Sequence, residues 1–196
     1  FEQYPYLLGW KPCVGDYGLL APLYAHLGRD PYPASLMQQR APRVYRWVER
    51  MNRPDQDVPE FFAPGTDFLN NDEIPETLMA VLRAVAEDFV PETRAAASVI
   101  NDWLGRQQPE AGAAAVGRLG NLLGRAEFSV RGQTITALAS PYRFYLLQRV
   151  QAIYAGLPLD EQVSVEHMLQ ACGMHEMLSI KLDRVMGRAD NLEVWQ

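Results

Sequence analysis

The sequence predicts an all-α protein with one small β-hairpin. Apolar residues recur at helical spacing through most of the 196 positions, and prolines and glycines fall where helices should start and stop. Only one segment alternates apolar and polar residues.

The first element follows a Gly9-x-x-Pro12 turn and should run over 13–28 as a central buried helix, with Leu19, Leu20, Leu23 and Leu27 on one apolar stripe. Its first backbone N–H groups need acceptors, and a carboxylate at the third helical position reaches back to supply one while meeting the positive end of the helix dipole. Asp16 holds that position, so it is expected to act as a structural cap, with a general-base role as the rival reading. Cys13 at the N-cap is a poor acceptor, which leaves the capping to Asp16. A Pro-rich bend after Asp30-Pro31 leads to a second helix opened by Ala41-Pro42, with Val44, Trp47, Val48 and Met51 on its apolar face.

Segment 75–89 opens with Pro75 and carries Leu78, Val81, Leu82, Val85 and Phe89 in helical register, and Pro91 is expected to interrupt it. A further helix with Ala96, Val99, Ile100, Trp103 and Leu104 should end near Gly105. The glycine-rich stretch 105–125 reads as a linker. Beyond it, 127–136 alternates around Arg131-Gly132 and reads as the one hairpin. Ser140-Pro141 starts a helix bearing Tyr142, Tyr145, Leu146, Ile153 and Tyr154, which Gly156 can end in a left-handed cap. Another helix runs from Asp160 to about Cys172, and a last one over 174–187 carries Met177, Leu178, Leu182 and Val185. The expected division is a helical core at 1–105 and a helical extension at 106–196 packed on it as one unit.

A composition of 48% hydrophobic and 21% charged residues is that of a globular protein. No apolar run approaches the roughly 20 residues that a membrane-spanning helix needs. Two cysteines 159 positions apart form no disulfide framework and suit a reducing cytoplasm. The net charge of −6 argues against nucleic acid as a partner. Arg43, Arg46, Arg50 and Arg53 share a helical spacing that would attract an anion, although a solvated outer face is the plainer account.

Candidate chemistry is sparse. Cys172, His167 and His175 supply at most three metal-ligand side chains, short of a closed zinc site, so no metal is expected. Cys172 reads instead as a small buried hydrophobe. Asp67–Glu73 lacks the alternating oxygen spacing and the glycine of a calcium loop and reads as solvated. His26 suits the end of the first helix. Tyr17 and Tyr24, seven residues apart, would line one crevice with Trp10 nearby, or serve as core packing.

The residues from Tyr6 to Met51 carry a resemblance. The Leu8-Gly9 turn, Pro12, the Gly15-Asp16 pair opening a Leu-rich helix, and the aromatic helix beginning at Pro42 together resemble the C-terminal helical domain of the glutathione transferase superfamily. That resemblance is specific over about 6–55 and weak beyond 105. It implies a helical bundle of that family's type, with glutathione as co-substrate of the intact protein and a hydrophobic electrophile as its partner. Trp10, Tyr17 and Tyr24 would then form the possible co-substrate pocket, and a homodimer is possible. In such proteins a preceding thioredoxin-like domain binds glutathione and supplies the catalytic residue. Nothing in 1–196 matches that domain, so the chain reads as a fragment with no catalytic residue of its own, inactive alone. The alternative is a non-catalytic interaction module of the same fold.

Overall fold

A computed structural model describes residues 1–53, 58–115 and 123–196. The chain divides into two compact units, Phe1–Met79 and Ala80–Gln196.

In the first unit, α1 spans Val14–Leu20 and passes directly into a π-helical segment, Ala21–Leu27. Helices α2, Pro31–Arg40, and α3, Pro42–Met51, each open on a proline, whose missing N–H costs nothing at a first turn. The core is Tyr6, Trp47 and Val48, with Phe1, Leu20, Leu23, Tyr24 and Met51 packed against it. The Phe1 ring stacks on Trp47 at 4.9 Å with 9° between planes. Gly9 sits at φ +122, and a Cβ there would lie 2.9 Å from the Leu69 amide nitrogen, so the crossing of this turn with 67–69 requires glycine.

The expected buried helix over 13–28 needs correction. Asp16 alone is buried in α1, and no residue of Ala21–Leu27 is. Leu20 and Leu23 reach the core, whereas Leu19 and Leu27 are 36% and 42% exposed. Pro22 explains this. It lacks the N–H that Gly18's carbonyl would accept, and its ring crowds that carbonyl, so the helix widens to an i→i+5 pattern that turns later residues off the stripe.

Helix α4, Glu76–Gln107, starts at the end of the first unit and runs through Pro91 without a break. This overturns the expected interruption. Pro91 deprives only the Glu87 carbonyl of a donor, and Glu87 is exposed to water. Val90 before it and Ala96, Ala97, Ile100 and Leu104 after it all enter one core, which keeps both halves in line.

The same core takes Ala126 and Ala139 from the hairpin region, Phe144, Ile180, Met186 and Trp195. Strands β1, Arg125–Val130, and β2, Gln133–Leu138, pair antiparallel around Arg131-Gly132, both at positive φ (50 and 77), the geometry of a two-residue hairpin turn. Helix α5, Tyr142–Ala155, follows Pro141 and stops at Gly156, which is right-handed at φ −88 rather than the expected left-handed cap. Helix α6, Leu159–Ala171, is instead followed by a left-handed glycine, Gly173 at φ +76.

The all-α expectation fails at the C-terminus. In place of a helix over 174–187 there is a short 3₁₀ turn, His175–Leu178, and then a second hairpin: β3, Met186–Ala189, paired antiparallel with β4, Leu192–Trp195. Asp190 and Asn191 make its turn at φ 47 and 62, the left-handed region that these two residue types tolerate best after glycine. The free edge of β4 is covered, because the Ala115 amide donates to the Glu193 carbonyl at 2.8 Å and the Trp195 amide to the Ala113 carbonyl at 2.9 Å. Trp195 is fully buried and stacks near Trp103 at 6.0 Å. Among the described residues the protein is therefore mixed, with six α-helices and two small antiparallel sheets. Residues 116–122 of the expected linker lie outside the described residues.

Candidate functional site

The first unit is organised around one carboxylate. Asp16, at the third position of α1, has no exposed surface. Its Oδ2 accepts the Cys13 N–H at 2.9 Å, and its Oδ1 accepts the Leu7 N–H at 3.2 Å and the Trp47 indole N–H at 3.1 Å. A buried charge is tolerable only when hydrogen-bonded, and here three donors and a helix N-terminus supply that. Asp16 thus ties the turn, α1 and α3 together. With its oxygens engaged and no solvent contact, it is built to hold structure rather than to take protons from a substrate. The neighbouring Cys13 thiol is not activated either: burial pushes its pKa above the ordinary thiol value, which lowers the thiolate fraction.

The aromatic residues expected to share a crevice have different surroundings. Tyr17 is 59% exposed. Tyr24 lies beyond the start of the π segment, packs against the Trp47 cluster, and carries Arg29 over its ring at 4.4 Å with the guanidinium donating to its hydroxyl. Trp10 is held edge-on between Tyr4 at 5.9 Å and Phe61 at 5.4 Å, and a side chain at Gly65 would overlap it.

Two cavities of this unit are walled by other side chains. One, of about 360 Å³, is bounded by Leu8, Cys13, Phe68, Leu69 and Ile74, with Asp72 and Glu73 contributing carboxylates. The other, of about 450 Å³, is bounded by Phe1, Pro42 and Pro59 together with Arg43, Arg46, Arg50 and Glu60. Arg50 corrects the solvated-face reading, for it is only 6% exposed and donates to Glu60 Oε1 at 2.7 Å and to the Pro5 carbonyl at 3.0 Å. Burial works against the charged form of Glu60. Its backbone contact and the Arg50 and Arg46 guanidinium groups outweigh that and hold its pKa below the ordinary carboxylate value. The signal for Arg50 was present in the sequence, since its i−3 neighbour is Trp47, but charge alone gave it to the solvent side.

In the acidic stretch, Asp67 pairs with Lys11 at 3.0 Å, and Asn71 and Asp72 both adopt positive φ. In the second unit Cys172 is buried, with its thiol directed at the Leu169 carbonyl at 3.5 Å, and His175 opens the 3₁₀ turn. The described residues contain no group of three or more His, Cys, Asp or Glu side chains placed to hold a metal ion. None of the helices among them is long and apolar enough to cross a membrane.

No family model, no curated protein and no solved structure matches this chain.

Proposed function

We propose that this chain supplies the co-substrate side of a cytoplasmic glutathione transferase-like protein, which conjugates or reduces electrophiles with glutathione when intact. The observation that carries this reading is the Asp16 junction. The resemblance over 6–55 implies that the turn, the Asp-capped helix and the Pro-opened aromatic helix form one structural unit, and Asp16 hydrogen-bonds to all three. The electrophile's apolar body would sit in the cavity of Leu8, Cys13, Phe68, Leu69 and Ile74, whose volume falls in the usual range for small-molecule sites. Trp10, Tyr17 and Tyr24 are not among the residues that line it.

A second reading, a non-catalytic interaction module, is favoured by α5. Tyr142, Leu146, Val150 and Ile153 recur along one side of it at 45%, 43%, 60% and 69% exposure, while Phe144 and Leu147 enter the core. A helix apolar on both sides is normally covered on both. The test is a conjugation assay with several electrophiles on the protein as isolated from its source and on residues 1–196. Turnover confined to the native protein supports the first reading. A native protein inactive toward every electrophile would leave the interaction module.

A further inference from the structure

The cavity at the start of α3 carries more positive charge than it neutralises. Arg43 and Arg46 lie one turn apart and Arg50 a further turn on, and all three line it. The single carboxylate among its lining residues is Glu60, which meets Arg50 at 2.7 Å and Arg46 only at 3.9 Å. Arg43 donates to a backbone carbonyl, that of Glu2, at 3.0 Å. Three guanidinium groups against one carboxylate leave a surplus of two positive charges.

Two further observations bear on that charge. Arg50 is almost wholly buried, and its Nε, shielded from the cavity, has no hydrogen-bond partner among the described residues, so Arg50 brings its fixed charge rather than a free donor. The N-terminus of α3, where Pro42 and Arg43 form part of the cavity wall, receives no side-chain cap from Ala41. Pro42 has no N–H and the Val44 N–H donates to the Ala41 carbonyl at 2.9 Å, so the Arg43 N–H is the amide left at the positive end of this ten-residue helix, a place that favours an anion.

We propose that this cavity binds the dianionic head of a phosphate monoester. Arg43 at the first turn of α3 and Arg46 one turn further on contact its oxygens, and Arg50, fixed by Glu60 and the Pro5 carbonyl, stands behind them. A dianion matches the surplus charge, and three phosphate oxygens suit several guanidinium forks better than the two of a carboxylate. The cavity, at about 450 Å³, has room beyond the phosphate, so the organic part of the ester lies against Phe1, Pro42 and Pro59. This site is independent of the glutathione transferase reading and stands or falls without it.

Calorimetric titration of residues 1–196 at neutral pH and low salt tests it, with phenyl phosphate, inorganic phosphate and benzoate as probes. Phenyl phosphate should bind best, inorganic phosphate more weakly, and benzoate weakest. The R43Q/R46Q double variant removes two exposed side chains and should stay folded, with a melting temperature only slightly lowered by the lost Arg46–Glu60 and Arg43–Glu2 contacts, while losing phenyl phosphate affinity by about tenfold or more. Arg40→Gln, an exposed cation outside the cavity, should change little. No phenyl phosphate binding at millimolar concentration, or equal weakening by R40Q, would overturn the site. Benzoate binding as tightly as phenyl phosphate would overturn the dianion assignment, and equal affinity for inorganic phosphate would overturn the ester.

Discussion

The indole N–H of Trp47 donates to Oδ1 of Asp16 at 3.1 Å, and neither side chain has any exposed surface. Thirty-one positions separate them in the chain. The bond therefore fixes α3 against the start of α1 rather than trimming a local turn. It also makes the cap of one helix depend on the core residue of another.

That dependence predicts a large effect for a conservative change. Asp16→Ala should cost about 1 kcal/mol for the lost cap. The stranded indole and Leu7 N–H groups add about 1–3 kcal/mol for buried unpaired donors. Asp16→Asn keeps one acceptor oxygen but turns an amide donor toward another donor, so it should also destabilise. Trp47→Phe removes the indole donor together with part of the ring's volume, and the double variant should cost less than the sum of the singles. Urea midpoints of the four proteins measure this. Strict additivity would show that the bond contributes nothing.

Glu60 gives a pH dependence with a definite sign. Burial raises its pKa, but its backbone N–H contact together with Arg50 and Arg46 outweighs that, so the pKa in the folded protein lies below the ordinary carboxylate value. The stability it contributes is present above its unfolded pKa and is lost as pH falls through the lower folded value. Urea midpoints taken from pH 6 down to about pH 3 should therefore fall in the wild type. Glu60→Gln should show a shallower decline over the same window. Parallel curves would mean that the pair adds no stability.

The second hairpin should be needed for the second unit's core. Trp195 is fully buried at the end of β4, so Trp195→Ala should cost about 3–5 kcal/mol. Asn191→Val, a β-branched residue forced to φ 62, should destabilise the turn by about 1–3 kcal/mol. Amide exchange should then report loss of protection across Met186–Trp195. Unchanged exchange there would count against a turn held by these two residues.

Local chemistry was legible where it acts within a few residues. Asp16 at the third helical position, Pro42 at a first turn, and Arg131-Gly132 between alternating segments each announce their element, and each element forms. Balances of competing effects were not legible. Pro91 looks like a helix breaker, but the packing of Val90 and Ile100 outweighs one lost hydrogen bond. Pro22 looks harmless early in a long helix, yet the helix widens where it stands and Leu27 leaves the buried stripe. Met186–Trp195 was hidden because apolar residues spaced over 177–185 match a helix, and the weak turn signal Asp190-Asn191 contains no glycine. Arg50 shows the limit of reading charge as exposure, because its burial depends on Pro5 and Glu60, which are distant in sequence.

The last prediction concerns the two thiols and the cavity beside one of them. Cys13 is partly exposed and lines the cavity of Leu8, Phe68, Leu69 and Ile74, whereas Cys172 is 1% exposed. Alkylation needs the thiolate, and burial raises the Cys13 pKa, so at pH 7 iodoacetamide should react more slowly than with a free cysteine. The rate should climb steadily as pH rises past the ordinary thiol value of about 8.5. Mass spectrometry should find label on Cys13 first and on Cys172 only under unfolding conditions. A hydrophobic dye seated in the cavity should slow labelling of Cys13 in the folded chain without any turnover of glutathione. Dye binding that leaves the Cys13 rate unchanged would place the apolar site elsewhere and remove this cavity from the electrophile wall.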